Sequence, residues 1–410
     1  MQIEKNIFKH GNKAWAGWIF YGTAILAIII FFFQNNHYAH REIGNDFTCY
    51  LQSANLILHD HNPYDAAMAF RYIYPLFPAF LLIPLTFLPY AVANVLWFIL
   101  NVIALIVVVK LVFADGDNPL FIRKTTYPVP LEIVALLLMI PIIQNNLNNG
   151  QINFIVLSLC LLFFHYSQKG KSILSSVFLG MAIAIKLVPL ILICYLVLRK
   201  DYRSIFLSTL FGAIFCLMPM IIVGNRIFGW YCGYFQSFIA SGLVNGIYSN
   251  AMYFTFSSFI DKVLPALRNT PLPKLLGAGL LAILIATLEW MAIRIIRKSK
   301  DSNLRLRRDI NIWIFSAYLL GILLISPSSQ THHLAFLIPS WLLIFMQIVT
   351  KESANKRTLI LLSVLFLVCF YLGGIFKGSP FYFFSILLLY LAELSFLRTK
   401  EIAIPNTGIN

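Results

Sequence analysis

The chain has 410 residues, 60% of them hydrophobic and 11% charged, and carries a net charge of +15. A soluble domain of this length cannot cover that much apolar surface, because buried core grows slowly with size, and many segments approach the length needed to cross a bilayer. Soluble, single-pass and monotopic readings are therefore excluded. The positive charge is spread over short connectors, as in Arg294, Arg297, Lys298, Lys300, Arg305, Arg307 and Arg308, so it is an orientation signal and points away from nucleic acid.

The first apolar run, Ala14 to Phe33, follows Lys5, Lys9 and Lys13. It is longer than a signal-peptide core and no small-residue cleavage site follows it, so a retained first helix with a cytoplasmic N-terminus is expected. A non-cytoplasmic segment, Gln34 to Tyr74, comes next. Within it Phe47, Tyr50, Leu51, Ala54 and Leu58 share one face of a helix, with Thr48, Gln52, Ser53 and Asn55 opposite. This predicts an external amphipathic helix lying in the membrane interface. Asp46 stands at its start. An N-cap and a functional acid at the water–lipid boundary are equal readings of that position. His59, Asp60, His61 and Asp65 follow closely but match no metal-ligand spacing, and HNPYD reads as a turn.

Apolar spans then alternate with brief connectors: Pro75–Leu88, Ala91–Phe113, Pro130–Gln144, Gln151–His165, Ser172–Leu198 and Ile205–Val223. A second long external segment, Gly224 to Pro273, precedes Leu275–Ile296, Ile310–Ile325, Leu334–Val349, Thr358–Leu372 and Phe381–Leu397. One all-α domain of about a dozen transmembrane helices is expected, with core helices over 75–223 and C-terminal helices over 274–397. Basic connectors place Arg199–Arg203, Arg294–Arg308, Lys351–Arg357 and the tail from Arg398 in the cytoplasm. In the N-terminal half, Arg123–Lys124 and Lys169–Lys171 conflict with simple alternation. A break of Ser172–Leu198 at Lys186-Leu-Val-Pro189 into two half-helices is one way out, but it leaves the parity wrong unless another span is re-entrant, and the topology here stays open. Cys160, Cys194, Cys216 and Cys369 fall in apolar runs and read as small hydrophobes, while Cys49 and Cys232 share one aqueous side and can pair.

Three further stretches carry chemistry. Lys186 lies inside GMAIAIKLVP, where a charge is costly; it reads as functional, with an anion such as a lipid phosphate as its partner. NNLNNGQIN, Asn145 to Asn153, is polar between two apolar spans. Its plain reading is a turn, yet Gln151 and Asn153 can hydrogen-bond a hydroxylated ligand. Adjacent His332 and His333, near a helix start that Ser329 or Thr331 can cap, suit phosphate contact or proton transfer. Tyr64 and Tyr74 join Gln151 and Asn153 as substrate-binding candidates.

These stretches occur in an order that resembles glycosyltransferase family 87. The match runs from Asp46 and NPYD through YPLFPAFLLIPLTFLP (Tyr74 to Pro89), the NxxNxGQxN pattern around Gln151 and GMAIAIKLVP, to SPSSQTHH. The family commonly has a second proline where Leu76 stands here. The resemblance implies a GT-C bundle around an outward cavity, with Asp46 aligned on the catalytic base. It also implies transfer of mannose or a related hexose from a polyprenyl phosphate to an envelope glycan or glycolipid at the outer face of the plasma membrane. Lys186, His332, His333 and Arg71 are the candidates for holding the donor phosphate. No metal or cofactor is required, since these cations can neutralise one phosphate. A transporter or flippase of a lipid-linked sugar is the alternative, though no paired repeats of broken helices stand out. A structural membrane subunit is a third reading.

Overall fold

The computed structural model describes residues 2–113, 130–236, 255–267, 270–298, 304–325, 330–350 and 355–403. All of its regular structure is helical. The N-terminal half comprises α1 (Gln2–Ala39), α2 (Asp46–Leu58), α3 (Leu76–Leu82), α4 (Tyr90–Phe113), α5 (Leu131–Leu137) and α6 (Ile140–Asn148). It continues with α7 (Asn153–Gln168), α8 (Ser172–Ile185), α9 (Ile191–Leu198), α10 (Tyr202–Leu217), the short α11 (Met220–Val223) and α12 (Arg226–Tyr234). The C-terminal half holds α13 (Phe256–Val263), α14 (Leu272–Lys298), α15 (Leu304–Ile325), α16 (Ile338–Thr350), α17 (Lys356–Ile375) and α18 (Phe381–Ala403). A 3₁₀ turn, Thr331–Leu337, leads into α16.

Among the described residues six helices are long and apolar enough to cross a membrane, or seven if the bent α5–α6 pair forms one span. Shorter apolar helices include α7, most of which is buried, and α8 and α10, which pack together while α10 keeps Tyr202, Phe206, Leu210 and Ile214 exposed. Several expected spans therefore consist of pieces. Prolines explain where they break, because a proline ring collides with the carbonyl four residues earlier and offers no N–H. Pro189 ends α8 at Ile185, leaves Lys186 extended (φ −150°, ψ 129°) and starts a 3₁₀ turn into α9. Pro141 likewise ends α5 at Leu137, and α6 departs at 70°. Pro84 closes α3 into a 3₁₀ turn, so Pro75–Leu88 is a short kinked element.

Three other expectations change. The first helix runs on to Ala39, past Phe33. The 224–273 segment contains α12 and α13, while 237–254 lies outside the described residues, as do Arg123–Lys124, Lys351–Ala354 and Ser326–Ser329. The apolar face of α2 is also covered by protein: Phe47, Tyr50, Ala54 and Ile57 are fully buried, against α3 and α4. Ser53, predicted on the polar face, is buried too, because its hydroxyl is satisfied within the helix by Cys49 O at 2.8 Å. The six cysteines are free, with Cys49 buried and its thiol donating to Phe70 O at 3.1 Å.

Close helix contacts need small residues. Gly180 on α8 faces Gly212 on α10, and a Cβ at Gly180 would lie 2.7 Å from the Gly212 nitrogen. The Asn-rich end of α6 has a packing role as well. Its carbonyls at Leu147 and Asn148 accept from Asn35 Nδ2 at 2.8 and 3.3 Å, and Asn148 Nδ2 donates to Gln34 Oε1 at 2.8 Å. Asn35 thereby supplies bonds that a helix end lacks in an apolar bundle, and Gln34 holds the side chain of its last residue.

The connection between α9, α14 and α15 is ionic. Arg199 Nη1 lies 3.3 Å from Glu289 Oε2, and Tyr318 Oη donates to Glu289 Oε1 at 3.3 Å. Removing one partner strands a buried charge, which typically costs about 3–5 kcal/mol, whereas replacing both does not. Arg199→Leu is therefore expected to lower the thermal midpoint in detergent, and Arg199→Leu/Glu289→Leu to recover most of the loss; equal losses in both would contradict a compensated pair.

Candidate functional site

The site is assembled where the start of α2 meets the α6–α7 turn. Asn45, not Asp46, caps α2: its Oδ1 accepts from Thr48 N at 3.2 Å while Thr48 Oγ1 accepts from Asn45 N at 3.1 Å. The capping reading of Asp46 is thereby corrected, and the Asp46 carboxyl is released for other work. Thr48 Oγ1 also bonds Tyr90 Oη at 2.7 Å, and Phe47 stacks on Trp97 with centroids 5.3 Å apart. Both contacts pin α2 to α4.

The turn is fixed from the other side. Asp46 N donates to Asn149 O at 3.1 Å, and Trp97 Nε1 donates to Gly150 O at 2.7 Å. Gly150 has φ +59°, and a Cβ there would sit 2.8 Å from Phe47 Cβ. Both the backbone conformation and the close approach demand glycine. With the turn held, Gln151 Nε2 donates to Asp46 Oδ2.

A polar line continues inward from Gln151. Asn153 Nδ2 donates to Gln151 Oε1 at 3.4 Å, to Asn146 Oδ1 at 3.1 Å and to His332 O at 3.2 Å. Lys186 Nζ, at the break between α8 and α9, donates to Asn153 Oδ1 at 2.8 Å and lies 2.5 Å from His333 Nε2. Gln330 N donates to His333 Nδ1 at 2.8 Å, which leaves Nε2 as the ring nitrogen that faces Lys186. Lys186 also sits 5.4 Å from the Tyr74 ring centroid, whose hydroxyl accepts from Tyr50 Oη at 3.2 Å.

Asp46 is partly buried, and burial pushes its carboxyl up to about 6. The Gln151 hydrogen bond and the nearby Lys186 oppose that rise. A carboxyl poised near neutrality, with a basic side chain a short distance away, can exchange a proton with a bound hydroxyl while an anion is held beside it.

The sequence-predicted residues are distributed unevenly. Asp46, Gln151, Asn153, Lys186, His333 and Tyr74 come together. The backbone of His332 joins them through its carbonyl, and its half-buried ring lies 4.3 Å from that of His333. Gln151 and Asn153 are fully buried, beneath the site rather than on its surface. Tyr64 belongs to the wall, stacked on Tyr234 at 4.8 Å and donating to Tyr74 O at 2.8 Å. Arg71 is exposed on the loop before α3. The His59–Asp65 stretch forms the turn: Asn62 Oδ1 accepts from Tyr64 N at 3.2 Å, and Arg226 pairs with Asp60. Among the described residues no group of three or more His, Cys, Asp or Glu side chains could hold a metal ion. Ser329 lies outside the described residues, and the N-cap of the 3₁₀ turn is Gln330, paired with His333, rather than Thr331.

Sequence reasoning missed Asn146, Trp97 and Tyr50. Only Asn146 had a signal, its seven-residue spacing from Asn153, which becomes a contact across the α6–α7 turn.

The family model of glycosyltransferase family 87 matches residues 72–327, well over half of the chain. The chain belongs to glycosyltransferase family 87. No curated protein and no solved structure is similar enough to the chain to count as a match. Membership makes this a membrane glycosyltransferase and sets aside the transporter and structural-subunit readings. The matched stretch contains Tyr74, Gln151, Asn153 and Lys186 but not Asp46, His332 or His333. Those three are tied to the family 87 stretch by the contacts just described.

Because the turn has no space for a side chain at Gly150, Gly150→Ala must push α2 and the α6–α7 turn apart. The variant is expected to stay folded by circular dichroism yet lose about tenfold or more in transfer rate, as ångström-scale misplacement of reacting groups does; unchanged transfer would show that the α2–turn contact is dispensable.

Proposed function

We propose that this family 87 enzyme transfers a hexose, mannose or a close relative, from a polyprenyl-phosphate donor to a glycan or glycolipid hydroxyl at the outer face of the membrane, with inversion. The observation that carries the reading is the approach of one poised carboxyl, Asp46, to a buried lysine–histidine pair, Lys186 and His333, across a single polar line. The reaction asks for these two elements: a base for the attacking hydroxyl and N–H donors for the departing phosphate.

In the proposed step the acceptor hydroxyl attacks the anomeric carbon from the side opposite the phosphate. Its proton passes to Asp46, whose Oδ1 has no hydrogen-bond partner among the described residues. The bond from the anomeric carbon to the phosphate oxygen breaks, and its electron pair leaves on polyprenyl phosphate. Lys186 and His333 donate to that oxygen as charge develops, with His332 at the rim. The donor's lipid tail remains in the bilayer, so the exposed apolar surface around the bundle serves as its path. Arg71, on the exposed loop, is assigned to the approach of the anionic head group rather than to the chemical step. The basic connectors support termini on the cytoplasmic side and an outward-facing site.

Purified Asp46→Asn enzyme in nanodiscs is expected to bind the lipid-linked donor but lose about 10²- to 10⁴-fold in transfer, the range set by a general base. Retained activity in that variant would overturn the assignment. The carboxylate must be ionised to accept the proton. Since burial raises Asp46 to about 6, kcat/KM should be level above that pH and fall about tenfold per unit below it. A rate independent of pH from 4.5 to 8 (roughly the span over which such a carboxyl titrates) would remove Asp46 from the role.

A further inference from the structure

We propose that Gln151 and Asn153 are positioning residues, a two-amide relay that orients the Asp46 carboxyl and ties it to the Lys186–His333 pair, and are not ligands for the sugar. The inference rests on the reading of Asp46 as the base.

Hydrogen-bond polarity leads to this assignment. An amide can be turned end for end unless its neighbours forbid it, and here backbone carbonyls forbid it. Asn146 Nδ2 donates to Ile142 O at 3.0 Å and to His332 O at 2.9 Å, neither of which can donate in return. Asn146 must therefore present Oδ1 to Asn153, which answers with Nδ2 at 3.1 Å. The same Nδ2 donates to His332 O. Asn153 Oδ1 is left pointing at Lys186 Nζ, and Gln151 Oε1 faces Asn153. Gln151 consequently has its Nε2 directed at Asp46 Oδ2. Each amide turns its oxygen toward the lysine and its nitrogen toward the carboxylate.

Two consequences follow. The relay favours the ionised carboxylate, since an N–H donor stabilises the charged acceptor and is mismatched with an O–H. It also makes that preference depend on Asn153, which has no contact with Asp46 of its own. Polarised hydrogen bonds in a low-dielectric interior strengthen one another, so the Lys186 contact at one end reinforces the donor at the other. Both amides are fully buried and spent on protein partners, which leaves little with which to bind a sugar. The other titratable groups that face Asp46 are Lys186 at the α8–α9 break, Cys49 and Tyr50 on α2, and Tyr74 before α3. Cys49, Tyr50 and Tyr74 hydrogen-bond neither amide, so substitutions in the relay leave them in place, whereas Lys186 loses its Asn153 acceptor in Asn153→Leu, which is the coupling the relay describes.

The test is a carboxyl ¹³C NMR titration of the full chain in nanodiscs, with the Asp46 signal identified by its loss in Asp46→Asn. Gln151→Met is expected to raise the Asp46 midpoint by about half a unit or more, and Asn153→Leu to raise it in the same direction despite making no contact with Asp46. In transfer assays both variants should lower kcat about tenfold or more and move its acid limb upward, with KM for donor and acceptor little changed. Should Asn153→Leu fail to fold, Asn153→Ala takes its place with the same expectation. An Asp46 midpoint unmoved by the Asn153 substitution overturns the relay, and so does a rise in KM with an unmoved acid limb, which marks substrate ligands. The titration needs no turnover. Active Asp46→Asn enzyme therefore refutes the base while the NMR result still decides the relay; inactive Asp46→Asn with unmoved midpoints refutes the relay alone.

Discussion

A lysine buried among apolar helices has to be satisfied by the protein around it, and that constraint organises this molecule. Lys186 reaches its site only because Pro189 stops α8 at Ile185 and leaves the lysine in extended backbone. Its partners come from places distant in sequence, Asn153 from the start of α7 and His333 from the turn before α16. The helices that carry those partners must cross closely. Gly180 and Gly212 bring α8, which leads to Lys186, against α10, and Asn35 and Gln34 of α1 hold the end of α6, which leads to Asn153.

The same logic of satisfying polar groups inside an apolar bundle accounts for the other unusual features. The α5–α6 bend places a helix C-terminus in the interior, and the polar residues between Asn145 and Asn153 serve that end and the line beyond it. Glu289 is met by Arg199 and Tyr318. At the edge of the bundle, Asn45 takes over the cap of α2 so that the neighbouring carboxyl can be held by Gln151 instead. The poise of Asp46 near neutrality reflects two opposing causes, burial against a donated hydrogen bond and a nearby lysine. Membership of glycosyltransferase family 87 gives this arrangement its chemical class. The acid and the histidines, outside the matched stretch, are joined to it through side chains that lie within it.

Much of the architecture was legible because hydropathy reports burial in lipid directly. The apolar runs, the apolar first helix, the all-helical class and the break at Lys186-Leu-Val-Pro189 all follow from local rules about apolar length and proline. The order of Asp46, Gln151, Lys186 and the paired histidines was also readable, since each is a polar residue set against an apolar background. What misled was the assumption that every apolar run is one straight span. Pro75–Leu88 and Pro130–Gln144 have suitable composition but carry internal prolines that fold them into pieces.

The sequence by itself determined that this is a membrane protein with few, isolated polar residues, and which of those residues deserved suspicion. Only the tertiary structure decided which partners they meet. Asp46 reads equally as cap or as acid until Asn45 is seen to cap the helix, and the partner of the Gln151 amide is unknown until its burial against Asp46 is seen. The physical reason is that hydropathy and helical periodicity are properties of one segment. Hydrogen-bond polarity, by contrast, is set between segments, by backbone carbonyls such as His332 O that approach from far along the chain.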